Sequence, residues 1–380
     1  MENINIGFNN ILFSVIRRGM GLSKAALQIS ENACNYLYHF GINQSIIPII
    51  WEGIRDLDIS PEWKEKFNRT SIIDIRNYLM RDYALNQIAA ALNEAQIPYI
   101  FLKGSVLRKL YPEEWMRTSC DIDVLVPENE VYKAVEQIGE KTDFVFRKRN
   151  YHDISMTSSH LYLELHFNLK EHMDNIDKLL EHVWDYAVPA DDGNEYVLTS
   201  EFQLFHVIAH MSYHMVHGGL GIRPFLDLWL LRKKTDYDEN IVRRMCADCG
   251  ILTFYEKCCR LADTWMAGQT VSDDLSILES YILSGGVFGN TENALASKRR
   301  KHNIINYMIR RVFMERSLLE SEYPEMKDKP YLAPLCQMKR WSRLINQKKR
   351  SQIRREINGI RSMNTETIES FDQLLTSLGL

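Results

Sequence analysis

The chain has 380 residues, of which 45% are hydrophobic and 25% are charged. These proportions are ordinary for a globular protein, so they exclude a disordered chain, a collagen and a coiled-coil filament. The length predicts two or three domains. No run approaches the roughly 20 apolar residues that a membrane-crossing helix needs, and the N-terminus lacks a signal-peptide pattern. We therefore expect a cytoplasmic protein of bacterial type that does not enter a membrane.

Positive charge is concentrated near the C-terminus. The 46 basic and 50 acidic residues give a net charge of −4, but residues 298–361 hold 18 basic and 6 acidic residues, a local +12. Such a block is typical of a surface that binds RNA or another polyanion, and also of a solvated helical face. Because charge blocks alone are weak indicators, we favour the solvated face, and a nucleic-acid partner stays open.

The first hundred residues have a helical rhythm. Between Ser71 and Ala95, apolar residues recur at spacings near three and four, as Ile72, Ile73, Ile75, Leu79, Tyr83, Ile88 and Leu92. After a break at 96–98 the pattern predicts strands over 99–102, 120–126, 144–147 and 160–169, with helices over 106–110 and 128–140. From Ser200 the pattern is helical again, with a capping box of Ser200 and Gln203 and a stop at Gly218-Gly219.

These elements predict an α+β fold that is mostly helical. A small mixed β-sheet core occupies residues 70–199, between an N-terminal helical region, 1–69, and a C-terminal helical region, 200–380. Within the C-terminal region, Val242 to Trp265 is expected to form one helix, and loops are expected at 285–290 and 323–334.

The segment 160–169 has the strictest alternation in the chain. Its odd positions are all apolar, and its even positions are His160, Tyr162, Glu164, His166 and Asn168. Strand geometry puts the two sets on opposite faces. Tyr, Glu and His are more typical of a cleft wall than of a plain solvent face, although an amphipathic sheet face remains an alternative.

Three carboxylates stand out inside predicted strands. Asp121 and Asp123 are two residues apart, so both point to the same side of their strand, and Glu164 comes from the strand just described. Crowded carboxylates repel one another unless a cation joins them. Mg²⁺ prefers carboxylate and phosphate oxygen, and three carboxylates on neighbouring strands can hold two ions roughly 4 Å apart.

A phosphate-binding turn is predicted just before these strands. Gly104 and Ser105 follow a strand and open a helix, where backbone N–H groups attract phosphate. Glycine allows a close approach of the backbone, and the serine hydroxyl adds a donor. Lys103 and Arg117 place positive charge on either side of the turn.

The ordered set of these motifs resembles the nucleotidyltransferase superfamily, which includes DNA polymerase β-like and minimal nucleotidyltransferases. It is most similar to an uncharacterised bacterial nucleotidyltransferase branch, through the segments 102–105, 110–112, 117–126 and 164–166. The helical segment with His210, His214 and Arg223 to Asp227-Leu228 resembles that branch too. The resemblance covers about residues 95–235.

The histidines His206, His210, His214 and His217 recur on one predicted helix. Two imidazoles at i and i+4 can bind zinc, but no glutamate of a metalloprotease motif accompanies them. We expect this helix to lend His210 and His214 to the nucleotide or acceptor pocket, with structural histidines as the alternative. Asp227 is expected to bind an acceptor hydroxyl or nucleotide amine, or else to pair with Arg223.

The resemblance implies a Mg²⁺-dependent enzyme that moves a nucleoside monophosphate from an NTP to a hydroxyl and releases pyrophosphate. Asp121, Asp123 and Glu164 would hold two ions, and the turn at 103–105 would hold the outer phosphates. The acceptor could be a small molecule, an RNA end or a protein. Two other readings stay open: a non-catalytic nucleotide- or partner-binding module of a toxin–antitoxin-like kind, and a glycosyltransferase that uses an Asp-x-Asp motif.

Overall fold

The computed structural model describes residues 2–191, 193–286, 329–344 and 365–380, with single positions at 319, 323 and 326. The described helices, apart from short 3₁₀ turns, are α1 (Glu2–Gly19), α2 (Glu31–Gln44), α3 (Ile47–Ile54), α4 (Pro61–Glu94), α5 (Gly104–Leu107), α6 (Val131–Lys141), α7 (Asp174–Leu180), α8 (Ser200–His217), α9 (Arg223–Lys234), α10 (Glu239–Asp248), α11 (Leu252–Ala267), α12 (Asp273–Ser284), α13 (Ala333–Leu344) and α14 (Thr365–Ser377). The strands are β1 (Tyr99–Phe101), β2 (Asp121–Leu125), β3 (Val145–Arg149), β4 (Asp153–Thr157), β5 (Tyr162–His166), β6 (Ala187–Pro189) and β7 (Glu195–Leu198). The predicted α+β fold, with helix predominant, is confirmed.

The seven strands form one mixed sheet in the order β3-β4-β5-β2-β1-β7-β6. β2 runs parallel to β5 and antiparallel to β1, and β1 runs parallel to β7. The sequence pattern did not indicate β4, β6 or β7. The last two have three and four residues, which is too short for an alternating pattern to be read.

One face of the sheet packs on α4 and α6. Its buried residues include Ile122, Val124, Leu163 and Leu165 from the two central strands, together with Ile88 of α4. All the apolar odd positions of 161–169 are buried, as the alternation predicts. The opposite face of these strands carries the polar residues and looks toward α8.

A second hydrophobic core joins helices from before and after the sheet. It includes residues of α1 and α3 together with residues of α8, α9 and α11. Phe13 of α1 stacks on Trp265 of α11 with ring centroids 4.7 Å apart. The two helical regions are therefore packed into one another, and the boundaries predicted at residues 69 and 199 stay predictions.

The apolar stripe predicted on α4 is only partly buried. Ile88 and Leu92 are fully buried against the sheet, whereas Ile72, Leu79 and Tyr83 are more than half exposed. The 34-residue helix is about 51 Å long, so only its C-terminal half lies on the small sheet. Helical periodicity was correct there, but it could not show which stretch is covered.

Two predictions about helix boundaries differ from the structure, and a third is confirmed. The N-cap of α8 is Thr199, whose hydroxyl accepts a hydrogen bond from the N–H of Phe202, so the predicted cap at Ser200 was wrong by one residue. The segment 242–265 is two helices, because Gly250 adopts a left-handed conformation, with φ 76°, which is typical of the residue that ends a helix. The stop at Gly218 is confirmed.

Several predictions fall largely on residues outside the described ranges. These are most of the basic segment 298–361, including both of its lysine–arginine runs, most of the loop at 285–290, and part of the loop at 323–334. Within the second loop, Ala333 already begins α13. No helix in the described part of the chain is long and apolar enough to cross a bilayer.

Candidate active site

The predicted carboxylates lie where β2 and β5 run side by side. The register places Asp121 opposite Tyr162 and Asp123 opposite Glu164. Because paired residues of neighbouring strands point to the same face, these side chains share the polar face of the sheet. Asp123 is buried and Glu164 is half-buried.

Two nitrogen donors hold the carboxylate of Asp123. The ammonium of Lys103 donates to Oδ1 at 2.8 Å, and Nε2 of His166 lies 2.9 Å from the same oxygen. The same Nε2 lies 3.6 Å from Oε2 of Glu164. One ligand atom from each of Asp123, Glu164 and His166 lies within 4.8 Å of the others, and in the described part of the chain this is the one such group that could surround an ion.

The two central carboxyl groups differ in acidity. Burial acts to raise the pKa of Asp123, but Lys103 and His166 together hold it well below its ordinary value. The pKa of Glu164 is raised, first by burial and then by the charge of Asp123. Asp123 is thus a fixed anion, while Glu164 takes up a proton more readily. A bound cation would relieve the repulsion between the two.

Asp121 lies at the same cleft but outside that group. Its Oδ1 accepts a hydrogen bond from the hydroxyl of Ser119 at 2.9 Å, and its backbone carbonyl accepts another at 3.1 Å. The structure therefore brings Asp123 and Glu164 side by side and places Asp121 two residues earlier, at the start of β2. Two of the three predicted carboxylates share a common focus with His166.

The turn before α5 is strained and tightly packed. Lys103 has φ 47° and ψ −120°, a region that residues other than glycine rarely adopt. A Cβ on Gly104 would lie 2.9 Å from the hydroxyl oxygen of Ser119 and 3.3 Å from Nη1 of Arg117, so only glycine fits without displacing its neighbours. Lys103 and Gly104 line the cleft, whereas Ser105 is not among the described residues that do.

Arg117 and Asp227 form a buried ion pair across the cleft wall. Nε and Nη2 of Arg117 donate to the two carboxylate oxygens of Asp227 at 2.8–3.1 Å, and the hydroxyl of Tyr111 donates to Oδ1 at 2.8 Å. Nη1 of Arg117 donates to the carbonyl of Thr118 at 2.7 Å. Asp227 thus pairs with Arg117, and no ion pair to Arg223 is found among the described residues.

The histidines of α8 face the carboxylates across the cleft. Nδ1 of His210 lies 2.7 Å from Oε1 of Glu171, and its Nε2 lies 3.0 Å from Nε2 of His214. With the Nδ1 proton donated to Glu171, Nε2 of His210 accepts the hydrogen bond from His214. His206 also lines the cleft, whereas His217 donates to the carbonyl of Tyr213 and is not among the described lining residues.

Burial keeps these imidazoles neutral. It lowers the pKa of His206 to about 3 and that of His214 to about 3, and in both cases the neighbouring His210 is the second cause. Burial and Lys103 lower the pKa of His210 well below its ordinary value. Neutral imidazoles can each donate and accept one hydrogen bond, which suits the recognition of a hydroxyl or a base edge.

A cleft of about 390 Å³ lies between the sheet and the helices α8 and α9. This volume is in the range of small-molecule sites. Every candidate site residue from the sequence except Ser105 lines it: Lys103, Gly104, Arg117, Asp121, Asp123, Glu164, His210, His214 and Asp227.

Two residues of this site had not been selected from the sequence. His166 is two residues after Glu164, and the alternation placed it on the same face, but no role in the site was predicted for it. Glu171 lies beyond the end of β5 in a segment without periodicity. Its contact with His210 joins residues 39 apart in sequence, and no local signal indicates such a contact.

The comparison with protein families agrees with the site. Residues 30–267 match the family described as uncharacterised nucleotidyltransferase, and the chain belongs to this family. The match extends beyond the segment 95–235 that carries the motifs, so it includes helices on both sides of the sheet. No curated protein and no solved structure was found to match the chain.

Proposed function

We propose that this protein transfers a nucleoside monophosphate from an NTP to a hydroxyl acceptor and releases pyrophosphate. The observation that carries the proposal is the pairing of Asp123 with Glu164 on adjacent parallel strands, at one wall of a cleft of about 390 Å³. Membership of the family supports nucleotidyl transfer in general. The proposal goes beyond family membership in three respects: the donor is an NTP, the acceptor is a hydroxyl group, and the reaction depends on Mg²⁺.

The carboxylates fit divalent ions. Asp123 and Glu164 each offer one oxygen atom, and these two atoms lie within 4.8 Å of each other. Asp121, two residues before Asp123, lies on the same face of β2. Oxygen ligands of this kind suit Mg²⁺, which keeps further positions for water and phosphate. We propose that Asp121, Asp123 and Glu164 hold two ions, which when bound would stabilise the attacking and leaving oxygens of the transfer.

The surrounding residues are proposed to position the two substrates. The turn with Lys103, Gly104 and Ser105 would hold the outer phosphates. It precedes the strands with the carboxylates in the chain, and its ammonium group, from Lys103, contacts the carboxylate of Asp123. His210 and His214, on the opposite wall, would contact the acceptor or the nucleotide. Glu164, whose pKa is raised, is suited to accept the proton of the incoming hydroxyl.

The proposed roles of Arg117 and Asp227 follow from their ion pair. Their charged groups already bind each other, so they would form the wall against which the nucleotide or acceptor rests. Of the two, Arg117 also donates a hydrogen bond to the carbonyl of Thr118, three residues before β2 begins at Asp121. A shift of this pair would therefore move the first carboxylate of β2.

The decisive test is pyrophosphate release. The full-length protein is incubated with Mg²⁺, each of the four NTPs labelled at the α-phosphate, and a cell extract that supplies acceptors. We expect pyrophosphate release and a labelled product, both abolished by EDTA and by the double substitution Asp121→Ala with Asp123→Ala. Glu136→Gln, at an exposed carboxylate of α6, is the matched control and keeps full activity.

Other outcomes point to the other readings. Unchanged turnover in the double variant refutes the assignment of the two aspartates. Binding of NTP without a metal requirement and without any product by mass spectrometry indicates a non-catalytic binding module. Transfer from labelled UDP-sugars, with none from NTPs, indicates a glycosyltransferase.

A further inference from the structure

The cations of the cleft differ in their partners. Three of the lysine and arginine side chains that line it form ion pairs: Lys103 with Asp123, Arg117 with Asp227, and Lys170 with Glu181. Arg223, at the start of α9, lines the cleft as well. Within the described ranges it forms no ion pair with a carboxylate.

The guanidinium of Arg223 is only partly used by the protein. Nη1 donates to the backbone carbonyl of Thr118 at 3.0 Å and lies 3.3 Å from its hydroxyl. Nε is buried and has no hydrogen-bond partner among the described residues. A buried N–H group without a partner is costly, so an acceptor supplied by a bound molecule would stabilise this arrangement.

The neighbouring charges do not balance that of Arg223. Asp227 is the nearby carboxylate, but its two oxygens already accept hydrogen bonds from Arg117 and Tyr111. The guanidinium groups of Arg117 and Arg223 with the carboxylate of Asp227 therefore have a net charge of +1. Burial and the charge of Arg117 lower the pKa of Arg223 to about 10, so it is still cationic at neutral pH.

Arg223 also lies beside the glycine turn. The carbonyl of Thr118 accepts hydrogen bonds from Nη1 of both Arg117 and Arg223. That Nη1 of Arg117 is the atom 3.3 Å from the position of a Cβ on Gly104. Gly104 and Arg223 thus flank the same short stretch of chain, which leads into the carboxylates of β2.

We propose that Arg223 binds the outer phosphates of the NTP, and is the arginine that recognises the triphosphate in place of the already paired Arg117. An arginine fork matches phosphate oxygens in two parallel hydrogen bonds, and the excess positive charge offsets the charge of the triphosphate. The inference rests on the proposed function, because it takes an NTP as the molecule in the cleft.

The experiment measures nucleotide affinity and needs no acceptor. Dissociation constants for ATP, ADP, AMP and inorganic tripolyphosphate are determined by calorimetry, with Mg²⁺, for the wild type, Arg223→Gln and Arg223→Lys. The control is Arg232→Gln, on the same helix but paired with Asp263. We expect Arg223→Gln to weaken the binding of ATP and of tripolyphosphate roughly ten- to a hundredfold, and the binding of AMP less than twofold. The affinities of Arg223→Lys should lie between those of the wild type and Arg223→Gln.

The pattern across the phosphates separates this role from a structural one. If Arg223 only supported the turn at Thr118, its replacement would weaken the binding of AMP as much as the binding of ATP, and that result overturns the proposal. Equal ATP affinity in wild type and Arg223→Gln overturns it as well, while leaving nucleotidyl transfer intact. A wild type that binds none of the nucleotides and no tripolyphosphate contradicts both the inference and the proposed function.

Discussion

The ammonium group of Lys103 lies 2.8 Å from Oδ1 of Asp123, and the backbone of Lys103 is strained in placing it there. A non-glycine residue with φ 47° and ψ −120° costs about 1–3 kcal/mol. Asp123 is 2% exposed, so its charge must be neutralised by a neighbour. The strained backbone of Lys103 is therefore offset by the ion pair that it allows with the buried carboxylate of Asp123.

Replacement of Lys103 by methionine should destabilise the protein in a way that depends on divalent ions. The change leaves the carboxylate of Asp123 buried with only His166 beside it. Loss of one partner of a buried pair costs on the order of 3 kcal/mol. Because a divalent ion at the same carboxylate would supply the missing charge, Mg²⁺ should restore part of the loss. Urea unfolding with and without Mg²⁺ measures both.

The control for this variant is a lysine pair on the surface. Lys141 donates to Glu94 at 2.7 Å, a similar distance, but both side chains are exposed. Lys141→Met should therefore change the unfolding free energy little, with or without Mg²⁺. A Lys103→Met variant that loses the same stability in Mg²⁺ as in EDTA would contradict the placement of an ion at Asp123.

Asp227→Asn should lower stability more than the loss of any surface pair. The substitution removes the charge that Arg117 faces, and both side chains are nearly inaccessible, at 4% and 8% exposure. A buried guanidinium without its carboxylate costs about 3–5 kcal/mol. Asp274→Asn, which breaks an exposed pair with Arg260, is the control. Chemical denaturation that finds equal effects in the two variants would contradict the structural importance of the buried pair.

Local pattern predicted the part of the fold that forms the site. The strands containing Asp123 and Glu164 were predictable because one face of each is buried, which imposes strict alternation on the sequence. That alternation also fixes which side chains share a face. Neither alternation nor spacing predicts the register between two strands whose paired carboxylates, Asp123 and Glu164, are 41 residues apart, so this pairing had to come from the structure.

Long-range partners were the parts that the sequence could not supply. Arg117 was predicted to place positive charge beside the glycine turn, but its ion pair with Asp227, 110 residues away, was not predicted. The exposed half of α4 shows the same limit, since periodicity predicts an apolar face without showing whether another element covers it. Short strands such as β6 lie below the length at which a pattern becomes visible.

The buried histidines should make stability fall in mild acid. His206 has a pKa of about 3 in the folded chain, against about 6.5 when unfolded, because burial and His210 disfavour its charged form. The unfolded state therefore binds more protons below pH 6.5, and the stabilisation present above that pH is lost as the pH falls toward 3. Between pH 7.5 and 5.5 this histidine should lower the free energy of unfolding by about 1.4 kcal/mol.

A leucine at position 206 removes the titrating group and should flatten this part of the profile. The neighbouring titratable groups are those of His210, Lys103, Glu171 and His166, and they remain in the variant. Urea unfolding of wild type and His206→Leu at pH 7.5 and 5.5 gives the two slopes. If both proteins lose the same free energy over this interval, the acid sensitivity arises elsewhere in the chain.

His166 should become a direct ligand of a divalent ion bound at Asp123, with its ring proton moved to Nδ1 so that the lone pair of Nε2 is free for the ion. Its Nε2 lies 2.9 Å from Oδ1 of Asp123 and 3.6 Å from Oε2 of Glu164. Neighbouring ligand atoms around an octahedral ion with bonds of 2.0–2.1 Å are about 3 Å apart, so the spacing suits a shared ion. With Mn²⁺ as the spectroscopic substitute for Mg²⁺, electron spin-echo spectroscopy should detect a directly bound imidazole nitrogen.

The alternative is that His166 only orients Asp123 through a hydrogen bond, and the same measurement separates the two roles. A ligand gives a nitrogen coupling that disappears in His166→Gln, whereas an orienting residue gives none even in the wild type. His152 stacks on His166 with ring centroids 5.4 Å apart, so His152→Gln tests whether a neighbouring imidazole is the source of the signal. A coupling that persists in His166→Gln and is lost in His152→Gln would assign the ligand to His152 instead.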